Sequence, residues 1–188
     1  GKGGADFWKI VKPYVRQIQA DDGIMVIDDS ISEKPHTDEN EIVCWHYDHT
    51  SGQTVKGINF ITALYHVNGV SLPVNYHLVA KTEVYLNPKT GQQKRRARVT
   101  KNDVYQQLLR QVMTNQIPFR YVVNDVWYAS ADNMCFVKHD LKRDFVMPLK
   151  TNRKVALSVE AQKQSQYGRV DELGLEAGTT MTIYLEGV

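Results

Sequence analysis

Hydrophobic positions along the chain fall into two rhythms, one helical and one strand-like. Residues 5–20 carry Phe7, Ile10, Val11, Tyr14, Val15 and Ile18, a spacing that predicts a helix with one apolar face. Pro13 lies inside that stretch and marks either a kink or the true start of the helix. Residues 24–29, IMVIDD, form a continuous apolar run that stops on two acids, the pattern of a strand buried on both faces. The polar stretch 30–42, SISEKPHTDENEI, holds Pro35 and reads as a loop. Residues 43–50, 55–67 and 70–80 are rich in Val, Ile, Tyr, Thr and Trp and read as strands. Between the last two, Asn68-Gly69 suits a tight hairpin turn with positive φ at both positions. The expected product is an antiparallel meander built onto strand 24–29.

The second half changes rhythm. YLNPKTGQQKRRARVTK reads as a turn and a basic run. Thr100 and Asp103 form a capping pair for a helix over 101–116, with Val104, Leu108 and Val112 on one stripe and Tyr105, Leu109 and Met113 beside it. Strand 119–124 follows, then a helix over about 131–140 capped by Ser130, then a short strand at 144–149. Beyond residue 153 the chain shows β-type stretches at 154–159 and 180–186, separated by polar linkers. The order is β-β-β-α-β-α-β, preceded by a helix. That is the plan of an α/β, RNase H-like mixed sheet with a β-rich C-terminal extension. The domain reading is an N-terminal helix and linker (1–22), a core (23–152), and a β-rich element (153–188) whose remainder is missing.

Composition narrows the function classes. The 188 residues are 42% hydrophobic and 23% charged, as in an ordinary soluble globular protein. A formal net charge of +2 carries no global nucleic-acid signature, which leaves only a local one. The two cysteines, Cys44 and Cys135, belong to no CxxC, so a thiolate metal site is not expected and neither reads as a nucleophile with a paired His. No apolar run is long enough to span a membrane. The opening GKGGADFWKI lacks the core of a signal peptide and matches no phosphate-binding loop; it reads as a chain cut from something longer.

The candidate chemistry lies where two apolar runs end. IMVIDDS stops at Asp28 and Asp29, and YVVNDV stops at Asn124 and Asp125. In the inferred fold these strands are neighbours, so Asp29 and Asp125 come together. Two carboxylates there can hold Mg²⁺, a hard cation that takes oxygen ligands. A pair of such ions about 4 Å apart can activate water and stabilise a leaving oxygen in phosphodiester cleavage. Two ordinary strand caps would read the same way. Alternation lets only one residue of each pair point at the site. Lys89, Lys94, Arg95, Arg96, Arg98 and Lys101 suit contact with a DNA backbone, or else line a solvated hairpin or loop. In WHYDHT, alternation puts His46 and Asp48 on one face and His49 on the other, a poor arrangement for a shared metal.

VIDDS and VVNDVWYAS carry a resemblance. The chain resembles the DDE transposases of bacterial insertion sequences, in the large cut-and-paste group whose RNase H-like core is interrupted by a β-strand insertion. The first motif of that family, an apolar strand ending in Asp followed by Ser or Thr, matches Asp29 and Ser30. The second, an apolar strand, Asp and a WYxS-like stretch, matches Asp125 with Trp127, Tyr128 and Ser130. The resemblance covers about residues 20–150. It implies Asp29 and Asp125 as catalytic metal ligands, Mg²⁺ or Mn²⁺ as cofactor, DNA ends and target DNA as partners, and a cytoplasmic, nucleoid-associated location. It leaves room for a homodimer in the DNA complex.

One departure stands out. The family's third acid is a Glu on a helix beyond the insertion, with Tyr, Arg and Lys nearby. Glu160, Glu172, Glu176 and Glu186 lack those companions, so the expectation is an incomplete active site. Two alternatives stay open: a non-catalytic DNA-binding or assembly fragment, and a stand-alone nuclease for RNA–DNA hybrids or repair junctions.

Overall fold

A single 15-residue strand organises the first half of the chain. In the computed structural model, which describes residues 4–48 and 51–188, β3 (Gln53–Val67) pairs antiparallel along one edge with β1 (Ile24–Glu33). Its other edge carries two strands end to end. β2 (Val43–Asp48) pairs with Gln53–Ile58, and β4 (Val70–Leu78) pairs with Phe60–Val67. The structure is mixed α/β and divides into two compact units, Gly1–Arg120 and Tyr121–Val188.

Alternation along β3 builds the core of the first unit. Ile61, Ala63, Tyr65 and Val67 turn inward, with Met25 and Ile27 of β1 wholly buried on the same side. The Asn68-Gly69 turn has φ of 50° and 76°, the two positive values its sequence demands. Within β4 the register shifts so that Ala63 faces Asn75 and Leu64 faces Pro73. Val74 is the extra residue of this bulge, where a proline without an N–H is tolerated.

Strand β1 does not stop at Asp29. It runs on to Glu33, which pairs with Gly57, so the expected loop begins four residues later than the polar sequence implies. Gly57 permits this: a Cβ there would lie 2.4 Å from the Ser32 carbonyl oxygen. β1 also takes β3, not β2, as its meander partner.

Helix α1 (Gly4–Ile18) buries only Val15 completely, while Ile10 and Tyr14 lie exposed on the stripe expected to be covered. Phe7 meets Tyr76 of β4 edge to face, ring centroids 5.4 Å apart. Arg16 donates to the carbonyls of Asn115 and Gln116, just past the end of α2 (Lys101–Thr114), where a cation suits the helix dipole. α2 starts at a complete capping box: Thr100 Oγ1 accepts from Asp103 N–H, and the Asp103 carboxylate accepts from Thr100 N–H, both at 3.1 Å. Val104, Tyr105, Leu108, Leu109 and Val112 are its buried face, as the periodicity predicts. The basic run takes the hairpin form, one of the two expected for it. It forms the hairpin β5 (Glu83–Leu86) and β6 (Gln93–Arg96).

In the second unit β7 (Tyr121–Asn124) pairs parallel with β8 (Asp144–Val146). The connection holds α3 (Ala131–Cys135), capped by Ser130, and a π-helical turn over Phe136–Asp140. The tail folds into a small antiparallel sheet: β9 (Lys154–Ala156) lies between β10 (Gly168–Arg169) and β11 (Tyr184–Leu185), with α4 (Val159–Lys163) beside it.

Candidate active site

Asp29 follows Met25 and Ile27 on the inward side of β1, and its side chain keeps 19% of its exposure. Asp28 faces outward, and its Oδ1 accepts from the Asp29 backbone N–H at 2.8 Å. A carboxylate at the rim of an apolar core needs partners. Two of those around Asp29 share one oxygen. Asn59 of β3, wholly buried, donates Nδ2 to Asp29 Oδ2 at 3.1 Å. Lys101, the first residue of α2, pairs its Nζ with that Oδ2 as well. The Oδ1 of Asn59 is buried and has no hydrogen-bond partner.

Next to this group lies His46 on the inward face of β2. Burial, then Lys81 and Lys101, push its pKa down to about 4, against weaker opposing effects of Asp29 and the Gly57 backbone. The ring is therefore neutral near pH 7. Its Nε2 lies 3.3 Å from Cys44 Sγ, a Cys–His contact that two residues of strand alternation produce and that the sequence reading did not anticipate. Burial raises the Cys44 thiol above its ordinary value, so the pair is a protonated thiol beside a neutral imidazole, not an activated nucleophile. Asp48 accepts from the Ser51 hydroxyl at 2.6 Å. His49, expected to face away from His46, lies outside the described residues.

Asp125 follows directly on β7. Its Oδ1 accepts from Trp127 N–H at 2.9 Å, and its carbonyl accepts from Asn124 Nδ2 at 2.8 Å. This is a local turn in which the side chain replaces a backbone acceptor. Tyr128 is buried, and its carbonyl accepts from the buried Asn133 Nδ2 at 2.9 Å. Ser130 Oγ accepts from Asn133 N–H to begin α3. The stretch from Asp125 to Ser130 is thus held by its own hydrogen bonds, with Trp127 exposed and the Lys150 ammonium 5.5 Å from its ring centroid.

The basic residues are distributed over the hairpin and the start of α2. Arg95 pairs with Glu39 at 3.7 Å; Arg96 and Arg98 pair with Glu83 at 2.9 and 3.4 Å. Arg96 also lies 5.6 Å from the ring centroid of Tyr85. Lys94 is exposed on β6. Between the hairpin and β2 lies a cavity of about 680 Å³ lined by Trp45, Lys81, Tyr85, Lys94 and Arg95 among others. Among the described residues, no group of three or more His, Cys, Asp and Glu side chains gathers in a metal-holding arrangement. No helix among them is long and apolar enough to cross a membrane.

The family model of the DDE superfamily endonucleases matches residues 8–177 and so spans Asp29, Asn59, Lys101 and Asp125. The chain belongs to the DDE superfamily of endonucleases. No match was found among curated proteins or among solved structures. DDE endonucleases act on DNA and generally use divalent metal ions. In this DDE endonuclease the chemistry around Asp29 fits such an ion. The carboxylate is a hard oxygen donor, it already attracts one cation, and a buried amide orients it.

Asn59 is the residue that sequence reading missed. Its signal was present: in GINFITALY, alternation puts Asn59 on the face of Ile61, Ala63 and Tyr65, where a polar side chain needs a partner.

Proposed function

We propose that this chain is the catalytic core of a DDE transposase of a bacterial insertion sequence. It cuts DNA at transposon ends and joins the freed 3′-hydroxyl to target DNA. Asp29 and Asp125 are the metal ligands, and Mg²⁺ or Mn²⁺ is the cofactor. When bound, the metal supplies water activation and stabilisation of the leaving oxygen. Lys94, Arg95, Arg96, Arg98 and Lys101 contact DNA phosphates.

The observation that carries this reading is the family match over residues 8–177, which includes both aspartates. Two further features support it. Strand order β4-β3-β1 in the first unit and the parallel β7–β8 pair in the second are the parts an RNase H-like sheet requires. Asp29, rather than Asp28, is the inward member of its pair.

The test is cleavage of DNA carrying transposon ends, with Mg²⁺ or Mn²⁺, by the full-length protein and by its Asp29→Ala and Asp125→Ala variants. Metal-dependent cleavage by the wild type and its loss in each variant is the expected result. Undiminished cleavage by either variant removes that residue from the site. Metal-independent DNA binding with no cleavage by the wild type supports the binding or assembly module instead.

A further inference from the structure

We propose that Lys101 is a resident counter-cation of Asp29, which a divalent ion must displace and which DNA phosphate draws away. Metal loading and DNA binding are then coupled through one lysine. The inference rests on the reading of Asp29 as a metal ligand.

Two donors converge on Asp29 Oδ2, and they differ in kind. Asn59 is neutral, wholly buried and anchored in the middle of β3. It can orient the carboxylate but cannot leave. Lys101 is charged, and its side chain keeps 42% of its exposure. Its long stem can carry the ammonium from the carboxylate into solvent while the backbone stays put. The capping box of Thr100 and Asp103 holds that backbone at the start of α2. The lysine is thus a movable charge on a fixed mount.

The arrangement has a thermodynamic consequence. An ammonium on Oδ2 and a divalent ion on the same oxygen compete by sterics and by charge. Apparent metal affinity is lowered by the fraction of molecules in which Lys101 holds the carboxylate. A phosphate that attracts Lys101 raises metal affinity, and bound metal, by releasing Lys101, raises phosphate affinity by the same factor. Lys101 also lies just beyond the basic hairpin, whose exposed Lys94 is offered to the same kind of ligand.

The test is Mn²⁺ binding to the chain, followed by loss of the free-ion electron paramagnetic resonance signal. The variants are Lys101→Met, Lys101→Arg, Asp29→Asn, and Lys56→Met as a control for charge alone. Circular dichroism establishes that each is folded. Lys101→Met is expected to bind Mn²⁺ about tenfold more tightly than wild type. Lys101→Arg and Lys56→Met are expected to stay within about twofold of it. A short duplex should tighten Mn²⁺ binding to wild type and leave Lys101→Met unchanged. Binding seen only in Lys101→Met also supports the proposal. If Lys101→Met binds no more tightly than Lys56→Met while Asp29→Asn loses the ion, the counter-cation role is overturned and Asp29 stands as ligand. If Asp29→Asn binds like wild type, or no variant binds saturably, both readings fail.

Discussion

Asn59 and Asp29 meet across the β1–β3 pair, one step off direct register: Asp29 faces Ile61, Asn59 faces Ile31, and the amide reaches diagonally to the carboxylate at 3.1 Å. A fully buried amide on an otherwise apolar strand face here holds one oxygen of a carboxylate. Asn59→Leu should therefore weaken Mn²⁺ binding about 10–100-fold, the usual effect of removing a group that orients a ligand. Folding stability should change by less than about 2 kcal/mol, since Leu also removes the unpartnered Oδ1. Titrating Mn²⁺ and urea against the same preparation separates the two effects. Unchanged metal affinity would show that Asn59 serves the fold alone.

His46 sets a pH dependence. Its folded pKa of about 4 lies below the ordinary value, so between about pH 6.5 and 4 the unfolded chain binds a proton that the folded chain refuses. Stability is full above about pH 6.5 and falls as pH drops through that window, by up to about 3 kcal/mol. The charged neighbours are Lys81 and Lys101, which add to the fall, and Asp29, which moderates it. Burial lowers His77 too, in the same direction. Urea midpoints from pH 7.5 to 4 should show the decline, and His46→Leu should flatten it. An equal slope in the variant would assign the acid sensitivity elsewhere.

Gly57→Ala should cost about 1–3 kcal/mol. The new methyl would press on the Ser32 carbonyl and on Glu33 Cα, both backbone atoms that cannot swing aside. The last residues of β1 would separate from β3, and thermal melts would report it. Gly69→Ala is the contrast: nothing stands within 4 Å of its Cβ, but its φ of 76° makes the substitution strained.

Replacing Lys94, Arg95 and Arg96 together by Gln should reduce the slope of log affinity against log salt by about 2–3 for duplex DNA. The comparison uses fluorescence anisotropy from 50 to 300 mM salt. An identical slope would take β6 out of the DNA interface.

Most elements were legible because their patterns were strong. α2 announced itself through Thr100, Asp103 and a clean apolar stripe, and the β3–β4 turn through Asn68-Gly69. The end of β1 was hidden because Ser30, Ile31 and Ser32 look like loop residues; what makes them strand is a glycine on another strand. The strands of the hairpin β5–β6 could not be told from a loop by pattern. Its strand QKRR has no alternation, and its charges are matched by Glu83 and Glu39 from other parts of the chain. Strand alternation left one acid of the pair to face inward, and that acid is Asp29. Its partner Lys101 was not legible, because that contact joins residues 72 positions apart.

Strand β3 serves three partners at once, two of them on the same edge. Over Phe60–Tyr65 both edges are occupied, one by β1 and the other by β4, so an amide there bonds to one neighbour or the other. Hydrogen exchange along Phe60–Tyr65 should then proceed only by opening of the whole first unit and report its global stability. Assembly divides in two: β2 and β4 are sequence neighbours of β3 and close onto it as hairpins, whereas β1 must be gathered across the intervening chain, so the β1–β3 pairing is the slower step.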